Sequence, residues 1–167
     1  LVGRASRASE QRCRRLEREL GGTGTATGSP SSKGRGGSGS GSGSPSGLSP
    51  GGGAATVEKL AINAVMAGCL PDQMAVVLAA VRAILQPAFD LGEMQSTTHS
   101  TAPLMIVNGP VVGHCDIAGG FGALGPGHRA NASIGRAVRL CMMNIGGARP
   151  GVSDMALLGH PGKFSFC

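Results

Sequence analysis

The glycine and serine content changes abruptly near residue 53, and this change limits the length of chain that can fold. Residues 1–53 hold 15 of the 30 glycines of the chain, together with 11 serines. A segment of this composition buries too little apolar surface to offset the entropy that it loses on ordering. We therefore expect residues 1–53 to be a disordered basic tail and residues 54–167 to form one domain.

The positive charge of the chain is concentrated in the same tail. Residues 1–53 carry eight Lys or Arg against three acids, whereas residues 54–167 carry seven against six. The basic pI therefore says little about what the domain binds. The aromatic residues are four phenylalanines, which offer few platforms for stacked bases. Specific nucleic-acid binding is not expected.

The cysteines and the apolar runs limit the cellular compartments in which the chain is expected. The five cysteines, Cys13, Cys69, Cys115, Cys141 and Cys167, contain no C-x-x-C pair, so no zinc site or other metal site is predicted. No apolar run approaches the roughly 18 residues of a spanning helix, and no secretory signal is present, so no membrane partner is expected. We therefore predict that the cysteines are reduced and that the protein is cytoplasmic.

Three helices and two strands are expected after residue 54. Apolar spacing predicts helices over 55–69, with Thr56 as N-cap, and over 71–86. A third helix is expected from near Asn131 or Ser133 to Asn144. The apolar run 104–107 and the final residues 164–167 are each predicted to be a strand. This order indicates an α/β or α+β fold that is helix-rich, has a small buried sheet and forms an incomplete domain.

Five sequence blocks between residues 55 and 167 resemble one known protein family. They are ATVEKLAINAVMAGC (55–69), TTHSTAPLMIVNGP (97–110), FGALGPGHRANASIGRA (121–137), NIGGARPG (144–151) and LGHPGKFSFC (158–167). In this order they are similar to the C-terminal half of the UGSC-type (seleno)protein family, and the resemblance does not extend to residues 1–53.

The resemblance implies thiol or selenol chemistry. Members of the family carry an upstream redox motif in which selenocysteine or cysteine precedes Gly-Ser-Cys, and this tetrapeptide does not occur here. They also continue beyond the final Phe-Cys. The chain is therefore expected to be a piece of the family protein that lacks both ends, and the reacting selenol or thiol of the motif would lie outside it.

Two histidines and a lysine in the family-like blocks are candidates for acid–base catalysis. His99 lies in TTHS, His160 lies in LGHPGK, and Lys163 follows three residues later. Histidine acts as a general base or as a metal ligand near neutral pH. The alternative for each histidine is a hydrogen-bonded structural residue in a turn.

The glycine-rich loop before the third helix is a candidate anion site. Backbone amides at a helix start, together with a guanidinium group, can bind a carboxylate or phosphate. The glycine spacing is neither the dinucleotide fingerprint nor a P-loop, so the sequence does not identify a cofactor. The alternatives are a loop shaped by packing, with Arg136 and Arg139 as solvated helix charges, and a simple turn at Asn108. The candidate anion-binding residues are Asn108, Gly125, Gly127, Arg129 and Asn131.

Two cysteines within the family-like blocks are candidate thiols. Cys69 follows the first helix and Cys167 ends the final block, whereas Cys141 lies on an apolar helical stripe and is expected in the core. For every cysteine the alternative is an inert buried thiol.

The residues leave three functional interpretations open. The first is a fragment of a thiol- or selenol-dependent enzyme acting on a small anionic substrate. The second is a non-catalytic domain for assembly or ligand binding, which includes a homo-oligomer and is favoured by the buried helix 71–86. The third is an inactive gene-prediction fragment, suggested by the composition of the tail.

Overall fold

A computed structural model of the protein describes residues 47–48 and 50–167. The basic and Gly/Ser-rich stretch before residue 47 lies outside the described residues, as does most of the predicted tail. Five α-helices and two short strands follow in the order β1 (Gly47–Leu48), β2 (Gly53–Ala54), α1 (Val57–Ala67), α2 (Met74–Ile84), α3 (Leu91–Gln95), α4 (Val111–His114) and α5 (Arg129–Asn144). Single 3-10 turns lie at Pro71–Gln73, Pro87–Phe89 and Pro161–Lys163.

The fold class follows the sequence-based expectation, with a helix-rich mixed α/β domain and one small sheet. The two strands pair antiparallel, with Gly47 opposite Ala54 and Leu48 opposite Gly53. No helix of the described residues is long and apolar enough to cross a membrane.

Helix α1 begins and ends as its caps predict. The Thr56 hydroxyl accepts a hydrogen bond from the Lys59 amide at 3.3 Å. Gly68 has a φ of 88°, a left-handed conformation that glycine adopts without strain, and its amide bonds back into the last turn. One side of the helix, with Leu60, Asn63 and Ala64, is buried and packs mainly against α5.

Helices α2 and α5 form the centre of the domain. Pro71 starts a 3-10 turn that leads into α2, which buries Val77 and Val81 completely or nearly so. Helix α5 begins at Arg129, slightly earlier than predicted, and ends at Asn144 as predicted. Buried residues on both sides of α5 contact two apolar clusters, so this helix spans the core.

The two strands expected after residue 100 are not formed, and these predictions were wrong. Residues 102–108 run extended but make one backbone hydrogen bond within the described part, from the Met105 amide to the Phe166 carbonyl oxygen at 2.9 Å. The amides of Phe164 and Ser165 instead bond to the Pro161 carbonyl oxygen and continue the preceding turn. A strand is defined by its partner, and one bond is too few for a ladder.

The predicted boundary at residue 53 is also corrected. Leu48 lies in the hairpin and is completely buried in the same cluster as Leu60 and Met142. The Gly51 amide donates to the Gly146 carbonyl oxygen at 2.6 Å, which fixes the hairpin to the end of α5. The folded domain therefore includes residues 47–53, because a single leucine in this Gly/Ser-rich stretch reaches the core.

Candidate functional site

A large apolar pocket lies between α2, α5 and the extended segment 103–108. Its volume is about 610 Å³, which is within the usual range for sites that bind small molecules. Ala75, Ala79 and Ala83 recur at intervals of four on one side of α2, and their small side chains leave space there. The opposite walls come from Leu104 to Asn108, from Val138 and Met142 of α5, and from Phe89 and Phe166.

The extended segment brings backbone groups as well as apolar side chains to this pocket. Leu104 and Ile106 are 51% and 81% exposed, whereas the alternate residues Met105 and Val107 pack against the core. The amides of Leu104 and Ile106 have no hydrogen-bond partner among the described residues. Backbone amide and carbonyl groups along this wall could therefore form hydrogen bonds with a ligand in the pocket.

One charged residue, Arg139, is found among the described residues that line the pocket. Its guanidinium group is buried, and Nη2 lies 2.8 Å from Asp154 Oδ2. Nη1 donates to Gln95 Oε1 at 2.6 Å. A solvated Arg139 was one of the alternatives that the sequence left open, and it is wrong because position 139 lies on the same side of α5 as Gly135, Val138 and Met142.

Lys163 completes a buried charge cluster around Asp154. Its Nζ lies 2.7 Å from Asp154 Oδ1, so one carboxylate faces two cations. Burial raises the pKa of Asp154, but hydrogen bonds from Lys163, the Ala156 amide and Arg139 outweigh it, and the pKa is lowered overall. We call Arg139, Asp154 and Lys163 the charge cluster; its formal charge is +1.

A further arginine adds positive charge beside the cluster. Arg136 stacks on the ring of Phe164, with its guanidinium carbon 4.0 Å from the ring centroid. Burial and the nearby charge of Arg139 lower the pKa of Arg136. Arg136 does not itself line the pocket, so Arg139 is the cation that contacts the pocket among the described residues.

The two candidate histidines make different local contacts. His160 is exposed and caps the turn at Pro161–Lys163, where its Nδ1 accepts a hydrogen bond from the Gly162 amide at 2.9 Å. This bond places the proton of neutral His160 on Nε2. His99 is also exposed, and its amide donates to Thr97 Oγ1 at 3.1 Å. No hydrogen bond or ring contact joins the two histidines in the described part of the chain.

The candidate anion-binding residues are divided between structural contacts and exposed loop positions. Arg129 Nη2 donates to the Gly68 carbonyl oxygen at 3.0 Å, at the end of α1. The buried Asn131 side chain accepts from the Ala118 amide and donates to the carbonyl oxygens of Ala118 and Cys167. Gly125 and Gly127 are exposed in the loop, and Asn108 lies at the pocket wall.

The four described cysteines are free thiols, and burial raises the pKa of each one. The pKa of Cys141, completely buried as expected, rises to about 12. Cys69 is half-buried, and a hydrogen bond with Ser133 and the charge of Arg129 partly oppose the effect of burial on its pKa. None of the four lines the pocket.

Sequence reasoning missed the pocket and most of the charge cluster. Lys163 was a candidate, but Asp154 and Gln95 were not, because their partners are distant in sequence. The one signal in the sequence that could have indicated the cluster was the position of Arg139 on the apolar side of the third predicted helix. Among the described residues, no group of three His, Cys, Asp or Glu side chains is placed to hold a metal ion.

Comparisons of the chain with protein-family models, curated proteins and solved structures found no match.

Proposed function

We propose that the domain binds a small amphipathic anion, with an apolar body in the pocket and a carboxylate or similar group near Arg139. The observation that carries this proposal is the position of Arg139, a charged lining residue that belongs to a cluster of net charge +1. The ligand class agrees with the small anionic substrate expected from the sequence.

The two parts of such a ligand are favoured by different forces. Its apolar body would remove the exposed faces of Leu104 and Ile106 from water, and burial of apolar surface contributes roughly 25 cal/mol per Å². Its negative group would offset the excess positive charge of the charge cluster, and such attraction is stronger near a protein interior than in water. The unpaired amides of the segment add hydrogen-bond donors.

Calorimetric titration with three chemically matched probes tests the proposal. A carboxylate with an apolar chain of about eight carbons suits a pocket of this class, and the corresponding alcohol and amine differ only in the head group. We expect the carboxylate to bind most tightly and the amine most weakly. Equal binding of all three, or tightest binding of the amine, would contradict an anion-selective site.

A pocket-filling variant locates the binding. Ala79→Trp places a large side chain at the exposed wall of α2 and should abolish binding without contacting the charge cluster. Ala132→Trp is the matched control, because Ala132 is exposed on a helix and does not line the pocket. Equal carboxylate affinities of the two variants would show that the ligand binds elsewhere. Tight binding of an extended apolar peptide, in place of the carboxylate, would assign the pocket to a protein partner.

A second candidate function is a thiol-dependent reaction on a small anion at Cys69. Burial raises the pKa of Cys69, but a hydrogen bond with Ser133 and the charge of Arg129 partly offset this rise, and Cys69 is less buried than the other described cysteines. A cytoplasmic location fits a chain that uses reduced thiols in this way.

Disulfide exchange distinguishes this candidate. The Cys69 thiolate would attack oxidised glutathione, forming a mixed disulfide and releasing one reduced glutathione. Arg129→Gln should slow this reaction more than exchange with the neutral bis(2-hydroxyethyl) disulfide, whereas Arg82→Gln, at an exposed site on α2, should affect neither. Equal slowing of both reactions in Arg129→Gln would argue against anion recognition by Arg129.

A further inference from the structure

Asn108 differs from the other asparagines of the chain in that no hydrogen bond holds its side chain. The chain has four asparagines, at positions 63, 108, 131 and 144. Side-chain hydrogen bonds hold the other three, and Asn63 and Asn131 are also buried. Asn108 is exposed, and its side chain forms no hydrogen bond with any described residue. Its carboxamide group is therefore open to solvent.

The backbone nitrogen that follows Asn108 is equally open. Gly109 is exposed, and no heavy atom lies within 4 Å of the position that a Cβ would occupy there. Its amide has no hydrogen-bond partner among the described residues. The amides that follow Asn131 and Asn144 instead donate to carbonyl oxygens one turn earlier. The Gly109 nitrogen can therefore approach the Asn108 side chain without breaking a hydrogen bond.

We propose that Asn108 is a site of spontaneous deamidation in the folded domain. The Gly109 nitrogen attacks Cγ of Asn108, which forms a C–N bond in a cyclic imide and releases ammonia. Water then opens the ring at either carbonyl group and leaves aspartate or isoaspartate. The net reaction consumes one water, releases one ammonia and changes no oxidation state. Asparagine is a thermolabile residue, and a following glycine presents no side chain that shields the attacking nitrogen.

Deamidation changes the charge of the pocket, because Asn108 is one of its lining residues. Both products carry a carboxylate in place of a neutral amide. Arg139 is the cation that contacts the pocket among the described residues, so the new charge opposes its attraction for an anion. This consequence rests on the proposed anion binding, and deamidated protein should bind the carboxylate probe less tightly than fresh protein.

Peptide mass spectrometry of the full chain, incubated without ligand at mildly alkaline pH, tests the site itself. Exposed loops open at almost no free-energy cost, so Asn108 should deamidate in the native protein within about tenfold of its rate in guanidinium chloride. The other three asparagines serve as internal controls, and they should show deamidation only after unfolding. Native Asn108 that is far slower than unfolded Asn108, or no faster than Asn144, would overturn the proposal.

Calorimetric titration of Asn108→Asp with the carboxylate, alcohol and amine probes tests the effect on binding. The variant has the shape of the wild type and one added charge, so it should weaken binding of the carboxylate roughly threefold or more and weaken the amine least. Ser100→Asp is the control, because Ser100 is exposed and does not line the pocket. Equal losses for all three probes, or equal effects of the two variants on the carboxylate, would overturn the link between deamidation and binding. Because deamidation is measured without ligand, a wild type that binds no carboxylate would refute the proposed function and leave the deamidation site supported.

Discussion

Arg139 and Asp154 form a buried ion pair with 2.8 Å between Nη2 and Oδ2, and the pair ties the middle of α5 to the loop that follows it. Both side chains are less than a tenth exposed. Lys163 contacts the other carboxylate oxygen, so Asp154 joins α5 to the turn at Pro161–Lys163 as well. The carboxylate thus positions the wall of the pocket that contains Gly162 and Phe166.

Asp154→Asn should destabilise the domain strongly. The substitution leaves Arg139 and Lys163 as buried cations without a counter-charge, and breaking such a pair from one side costs about 3–5 kcal/mol. Denaturant unfolding followed by circular dichroism measures the change. Asp116→Asn is the control, because this carboxylate is exposed and its left-handed φ of 54° also suits asparagine. A loss for Asp154→Asn no larger than that for Asp116→Asn would show that the charge cluster contributes little.

The same carboxylate should make stability depend on pH in the acid range. The pKa of Asp154 is lower in the folded state than its ordinary value, so the folded state favours the charged form. Its contribution is fully present above the unfolded pKa of about 3.9, and it is lost as the pH falls through the folded pKa. The difference in unfolding free energy between the wild type and Asp154→Asn should therefore shrink below about pH 4. An unchanged difference down to pH 2.5 would contradict this assignment.

The helices could be predicted because the signals that specify them are local. Thr56, Gly68 and the apolar spacing of α2 and α5 each act within a few residues of the element that they define. The segment 104–107 was wrongly assigned because a strand depends on a partner, and the apolar run alone does not reveal whether a partner is present.

The site was less predictable than the helices for the same reason. Lys163 was selected as a candidate from its short motif, but its contact with Asp154 depends on how the loop after α5 folds back. The two candidate histidines were grouped by their sequence blocks, and the structure leaves both exposed without a mutual contact. The burial of Leu48 was not predicted because the surrounding residues are mostly Gly and Ser, although its side chain is completely buried.

Leu48→Ala should destabilise the domain if the hairpin at residues 47–54 is part of its core. Removing a buried leucine side chain costs about 2–5 kcal/mol, depending on how far the site collapses. Leu157→Ala is the control, because Leu157 is 93% exposed and its removal should change little. Denaturant unfolding of the two variants measures the difference. Equal midpoints would mean that the hairpin does not contribute to the cooperative unit.

The thiols should react with an alkylating reagent in an order set by burial. Cys141 has a pKa of about 12 and is completely buried, so its thiolate fraction at pH 8 is on the order of 10⁻⁴. Burial also raises the pKa of the half-buried Cys69, but a hydrogen bond with Ser133 and the charge of Arg129 partly oppose this rise. Among the described thiols we expect maleimide to label Cys69 first and Cys141 last, and guanidinium chloride to abolish the difference. Peptide mass spectrometry at timed intervals measures each rate, and labelling of native Cys141 as fast as Cys69 would show that the core around α5 opens more readily than its packing implies.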